Sequence, residues 1–253
     1  MATTRRRTAA AAPAPQPPSV VASGLSLVPN MPMRQQILRV AEDFYVLRGY
    51  DGFSFAHIAE AVQTTRANIH HHFGDKLQLM AELIEKFATS AETRITDNWT
   101  CADRRFAERL QAQLDDLRQF YNRFNHTPGE RNVWSPLSRL RLDLPVLGEL
   151  ATQALQRVDQ AYDRNLRQAL ADAIAQGELK AETPVDDVAR VLRVTLLSCA
   201  PMTQDSGSFA EIEKLFAAMQ RLILAAWSTP AAQTKARSKA PRKPQRGGLK
   251  AGA

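Results

Sequence analysis

A chain of 253 residues, 44% hydrophobic and 23% charged, has the composition of a globular protein and the length of one large or two modest globular units. It holds no apolar run near the ~18 residues that a bilayer span needs and no unbroken apolar segment behind its basic N-terminus. Its two cysteines, Cys101 and Cys199, are too few and too far apart for a disulfide framework or a Cys-x-x-Cys zinc or redox motif, so the expectation is a cytoplasmic protein without membrane contact, structural metal or cofactor.

The net charge of +7 is unevenly distributed. Residues 1–33 carry Arg5, Arg6 and Arg7 and no acid, and residues 228–253 carry seven Lys and Arg and no acid, which leaves 23 basic against all 26 acidic residues in 34–227. Six of the fourteen prolines fall in the first 33 residues and three in the last 26. This pattern predicts one compact body between two disordered arms, 1–33 and 228–253, the tail adding salt-sensitive, non-specific affinity for nucleic acid.

Within the body the apolar spacing is helical almost throughout, and no alternating segment suggests a strand, so the predicted fold is all α. Ser, Thr and Asp side chains that can satisfy the free amides of a first turn mark most of the helix starts. The predicted helices, in order, are 34–48, 55–62 after Ser54, 66–73 after Thr65, 76–98 after Asp75, 103–125 with Thr100 and Asp103 at its start, 136–142 after Ser135, 146–177, 184–203 after Thr183, and 209–226 after Ser208. That makes about nine.

The first three carry the functional signal. Ile37, Val40, Ala41, Phe44 and Leu47 form one apolar stripe, and Phe55, Ile58, Ala59 and Val62 form a second. Gln63-Thr64-Thr65 then leads into a third short helix. Two short helices joined by a tight turn have the geometry of a helix-turn-helix, whose second helix enters the DNA major groove.

The run Gly49-Tyr50-Asp51 through Ile58-Ala59-Glu60-Ala61, followed by Thr65-Arg66-Ala67-Asn68-Ile69-His70-His71-His72-Phe73 and by Lys76 and Leu79, resembles the DNA-binding domain of the TetR (tetracycline repressor) family of bacterial regulators over residues 34–84. The resemblance implies a three-helix DNA-binding head at 34–80, a fourth helix leading into a helical ligand-binding and dimerisation body at 81–227, and a homodimer. The chain departs from the family's common pattern at three places. It has Gln63-Thr64-Thr65 where Gly-Val-Ser is usual in the turn, Phe53 where a threonine precedes the second helix, and His70 where the recognition helix has a tyrosine.

On this reading Arg66 and Asn68, in the first turn of the recognition helix, face base edges, where Arg suits guanine O6/N7 and Asn suits adenine N6/N7. Ser54, Thr64, Thr65, His70, His71 and Lys76 are the other expected DNA contacts, with Lys76 and the amides opening the fourth helix forming an anion site for phosphate. His70-His71-His72 does not read as a metal site, because adjacent helical residues point about 100° apart. No nucleophile signature and no Gly-rich phosphate loop is present, so no catalytic residue is assigned and an enzyme is not expected.

Trp99, Phe120, Phe124, Trp134, Arg141 and Tyr162 are the expected lining of a largely apolar pocket for a small-molecule inducer, whose identity the sequence does not reveal. The last two predicted helices, 184–203 and 209–226, are apolar on more than one side and are expected to pair with a second copy, which implies a roughly palindromic double-stranded operator. The resulting expectation is a homodimeric, ligand-released repressor, associated with the nucleoid when bound to DNA. The alternatives are a nucleoid-type architectural protein using the basic tail, and a redox-responsive regulator using Cys101 or Cys199.

Overall fold

The computed structural model describes residues 31–232, and the expected N-terminal arm up to residue 30 and the basic tail from residue 233 lie outside the described residues. Nine α-helices run among the described residues: α1 (Met33–Arg48), α2 (Phe55–Ala61), α3 (Arg66–Phe73), α4 (Lys76–Trp99), α5 (Phe106–Phe124), α6 (Pro136–Leu142), α7 (Leu144–Ala175), α8 (Val185–Ser206) and α9 (Ala210–Trp227). None is long and apolar enough to cross a membrane.

Expected caps open α3, α4 and α6, whereas Thr183, expected to open the eighth helix, donates to Lys180 O at 2.6 Å and α8 starts without a side-chain cap. Thr65 Oγ1 accepts from the Asn68 amide at 3.2 Å, Asp75 Oδ1 from the Gln78 amide at 2.8 Å, and Ser135 Oγ from the Ser138 amide at 3.3 Å. The expected start of α5 at residue 103 is corrected to Phe106. Thr100 and Asp103 do not cap it; the Arg105 amide instead donates to Glu108 Oε2 at 2.9 Å.

The C-terminal boundary of the body also moves. Ser228 pairs antiparallel with Leu179, the Thr229 amide donates to Glu178 O at 3.1 Å, and Ala232 is buried, so the ordered body continues past 227 instead of ending there. Helix α8 likewise runs on to Ser206, past Pro201, and stops where Gly207 turns left-handed at φ 67°. Helix α7 is interrupted near its start by Gly148, at φ 52° and ψ −128°, a conformation open essentially only to glycine.

Ile37, Val40, Phe44, Ile58, Ile69 and Phe73 close the core of the head, α1 to α3. In the body, α4 packs along α7, with Leu83, Ala91 and Ile95 buried on the one helix and Ala151, Ala154, Val158 and Ala161 on the other. The small residues of α7 let the two axes approach, and each large side chain taken fully out of water stabilises the fold by about 1.5–3 kcal/mol. Because α4 belongs to both units, the head is mounted on the body through a continuous helix.

Candidate functional site

The helix-turn-helix is built from local bonds. The Ser54 amide donates to His57 Nδ1 at 3.2 Å and sets the start of α2. The chain reverses through a bond from the Thr64 amide to Ala59 O at 2.9 Å, which places Gln63 at φ 55°, where glycine is usual in the family pattern. An L-residue in this left-handed region costs roughly 1 kcal/mol. Gln63→Gly is therefore expected to stabilise the head only slightly, by up to about 0.5 kcal/mol after glycine's larger unfolded-state entropy is set against the relieved strain. Thermal denaturation checks it, and a net loss of stability would mean that the glutamine side chain itself holds the turn.

Thr65, Arg66, Ala67, His70 and His71 are exposed on one end of the head. Arg66, the first residue of α3, meets no hydrogen-bonding or ionic partner among the described residues. Asn68 is tied across the turn instead, its Nδ2 donating to Thr64 Oγ1 at 2.9 Å, so Thr64 orients Asn68. His70 Nδ1 lies 2.6 Å from Gly74 O and its ring meets the edge of Phe55 at 4.8 Å. A carbonyl only accepts, so Nδ1 carries the proton. The neutral ring then offers Nε2 as an acceptor, and only the protonated ring can donate to a phosphate. Among the described residues no cluster of His, Cys, Asp and Glu is placed to hold a metal ion.

Lys76 does not form the expected anion site. Its Nζ donates inward to Phe53 O at 2.7 Å and to Tyr50 O, and it sits over the rings of Tyr50 at 4.2 Å and Phe53 at 4.7 Å. Burial pulls the ammonium below its ordinary pKa. The first turn of α4 is already occupied by the Asp75 carboxylate, which would repel phosphate. Lys76 is thus the pin that ties the α1–α2 loop to α4, and Phe53, in place of the family's threonine, supplies half of its aromatic seat.

Two further clusters join head to body. Arg139 of α6 donates from Nε to Val46 O at 3.0 Å and from Nη2 to Leu47 O at 3.1 Å, capping the open carbonyls at the end of α1, while Asp143 Oδ2 accepts from the Tyr50 amide at 3.0 Å. In α1, Glu42 is buried and takes Lys86 of α4 and Arg123 of α5, each at 2.6 Å, with Arg123 also reaching Asp43 at 2.6 Å.

Burial pushes the Glu42 carboxyl up, but Arg123 and Lys86 together outweigh it and leave it below its ordinary 4.5. A group whose folded pKa is depressed stabilises the fold above its unfolded value and loses that contribution as pH falls. The stability advantage of the natural chain over Glu42→Gln is therefore expected to be full at pH 7 and to shrink below about pH 4.5. Urea melts across that range check it. Asp43, raised chiefly by its burial and further by the Glu42 charge, opposes this trend, and Glu42→Gln relieves part of that rise as well.

Beside Glu42 a cavity of about 90 Å³ opens between α1, α4, α5, α6 and α7. Of the residues expected to line a ligand pocket, Phe120, Trp134 and Tyr162 border this cavity. Trp99, Phe124 and Arg141 do not. Trp99 is fully buried with its indole N–H on Gln113 Oε1 at 2.9 Å, and Phe124 is core under Arg123. Arg141 is half-buried outside the lining, with its pKa lowered by burial. The lining is also less apolar than expected, since Glu42, Lys86, Arg94 and Asp116 border it.

A helix-turn-helix with an exposed recognition helix, mounted by a shared helix on a hollow helical body, defines the class of DNA-binding transcriptional regulators. Residues 37–83 match the family of bacterial regulatory proteins described as the tetR family. The HTH-type transcriptional repressor AcnR of Corynebacterium glutamicum is 23% identical over 168 residues, 64% of this chain and 77% of that protein. AcnR of Corynebacterium efficiens is 25% identical over 158 residues, 60% of this chain and 72% of its own.

Among solved structures, reduced NemR of E. coli shares the fold with a TM-score of 0.63 at 20% identity, covering 78% of this chain and 98% of its own. A TetR-family regulator from Agrobacterium tumefaciens does so at 0.62 and 23%, covering 78% and 97%. Residues 37–83 thus carry the DNA-binding domain of tetR-family regulators, and the described residues share the fold of the solved regulators.

Proposed function

We propose that the protein is a homodimeric repressor that binds a roughly palindromic operator in the bacterial cytoplasm and leaves it when a small molecule enters the body. The observation that carries the DNA reading is the exposed first turn of α3, where Arg66 meets no partner among the described residues while Thr64, Thr65 and Asn68 are tied to one another in the cap and the turn. The likeness to two proteins named as repressors supports repression over activation.

Val191 and Val194 on α8 are 60% and 56% exposed and Leu222 on α9 is 71% exposed, which supports pairing through these helices, because such side chains gain by leaving water. Selection of bound DNA from a random pool tests the reading, with a palindrome of half-sites one helical turn apart, or a multiple of it, as the expected result. Binding without sequence preference would favour the architectural alternative. The redox alternative is disfavoured for Cys199, which is buried and whose thiol is pushed up to about 12 by burial, so it rests on the half-buried Cys101.

A further inference from the structure

We propose that the cavity bordered by Glu42, Arg94, Asp116, Phe120, Trp134 and Tyr162 takes a small organic cation, an aryl or alkyl ammonium, which enters by displacing the guanidinium of Arg94. This rests on the reading above that the cavity is the ligand site.

The charged groups of the lining are sorted by depth. Of the two carboxylates, the Glu42 side chain is 8% exposed and that of Asp116 is 17%, while their cationic partners Lys86 and Arg94 are 49% and 33% exposed. The acids lie in the floor and the bases lean in from the rim on flexible stems.

Arg94 already occupies the position of a cationic guest. Its Nε lies 3.1 Å from Asp116 Oδ1, its guanidinium carbon stands 4.4 Å from the centroid of the Phe120 ring, and it donates to the Ser90 hydroxyl. A carboxylate beside an aromatic face is the chemistry that holds an ammonium group. Burial raises the Asp116 pKa in spite of Arg94, so the existing pair leaves this carboxylate incompletely stabilised.

Charge balance then selects the guest. A cation that takes the place of Arg94 leaves the floor neutralised while the arginine swings into water. A neutral molecule doing the same would leave Asp116 buried and unpaired, and an anion would face two carboxylates in a partly desolvated site. The space released by the Arg94 side chain adds to the 90 Å³ already present.

The test uses the full chain and three probes of similar shape, benzyltrimethylammonium, benzyl alcohol and phenylacetate, titrated calorimetrically. Benzyltrimethylammonium is expected to bind with a Kd at least about tenfold below the other two. Asp116→Asn should weaken it about tenfold, and Arg94→Gln should tighten it several-fold by removing the internal competitor. If Asp116→Asn fails to fold, as circular dichroism would report, Arg94→Gln alone carries the test. Tightest binding by phenylacetate, loss of cation binding in Arg94→Gln, or no binding by any probe would overturn the proposal. Addition of benzyltrimethylammonium to the operator complex separates the two readings. Binding without release of DNA leaves the cation site standing and removes ligand-released repression.

Discussion

Replacing Trp134 by alanine is expected to cost about 3–5 kcal/mol of stability, the range for emptying a large aromatic site in a packed core. Trp134 is 2% exposed, its ring meets the edge of Tyr121 at 6.3 Å, and its indole N–H donates to Thr203 Oγ1 at 2.7 Å. It is at once a wall of the cavity and a strut between the segment before α6 and helix α8, so alanine would enlarge the cavity and remove the strut together. Trp134→Phe separates the two, keeping most of the ring volume and giving up the bond to Thr203, for an expected cost of about 1–3 kcal/mol. Urea unfolding gives both numbers. A cost below about 1 kcal/mol for the alanine variant would show that the site collapses freely and that Trp134 does not brace α8.

How much of this was legible in the sequence depended on the range of the interaction. Thr65, Asp75 and Ser135 cap the helices that they mark because each bonds an amide three residues on, and a local contact of that kind can be read from spacing alone. Thr100 and Asp103 offered the same local signal and failed, because Glu108 captured the Arg105 amide and Arg105 also reaches Glu178. The exposure of Arg66 followed from the family pattern.

The long-range contacts were not legible. The ties from Arg139 to Val46 and Leu47, from Asp143 to Tyr50, and from Arg123 to Glu42 each join residues about 80 or more positions apart, and an arginine on a helix reads the same in sequence whether it meets water or a carbonyl end. The inward turn of Lys76 had a usable clue in Tyr50 and Phe53, two rings in one short loop, which the expected phosphate role obscured. The cavity lining divided in the same way. Phe120, Trp134 and Tyr162 were found by being aromatic, whereas Arg94 and Asp116 are ordinary surface-type residues whose meeting depends on how α4 and α5 cross.

The sharpest functional contrast is expected between Arg66 and Lys76, the arginine and lysine of the head whose expected role is DNA contact. Arg66→Ala should leave stability unchanged, since the side chain is exposed and meets no partner among the described residues. It should lower operator affinity by about 1–3 kcal/mol, roughly ten- to a hundredfold, and relax preference at one base pair in each half-site, because a bidentate contact to guanine contributes that much discrimination. Lys76→Met should do the reverse. The loop carbonyls of Tyr50 and Phe53 lose a charged donor, so the head is destabilised by about 1–3 kcal/mol. DNA affinity then falls only through the unfolded fraction, and the slope of log K against log salt stays where it was. A phosphate contact would instead reduce that slope by about one unit. Paired salt titrations on operator and random DNA, with melts of both variants, decide the matter. A reduced slope with unchanged stability for Lys76→Met would return Lys76 to the phosphate backbone, and equal losses on both DNAs for Arg66→Ala would take Arg66 away from the bases.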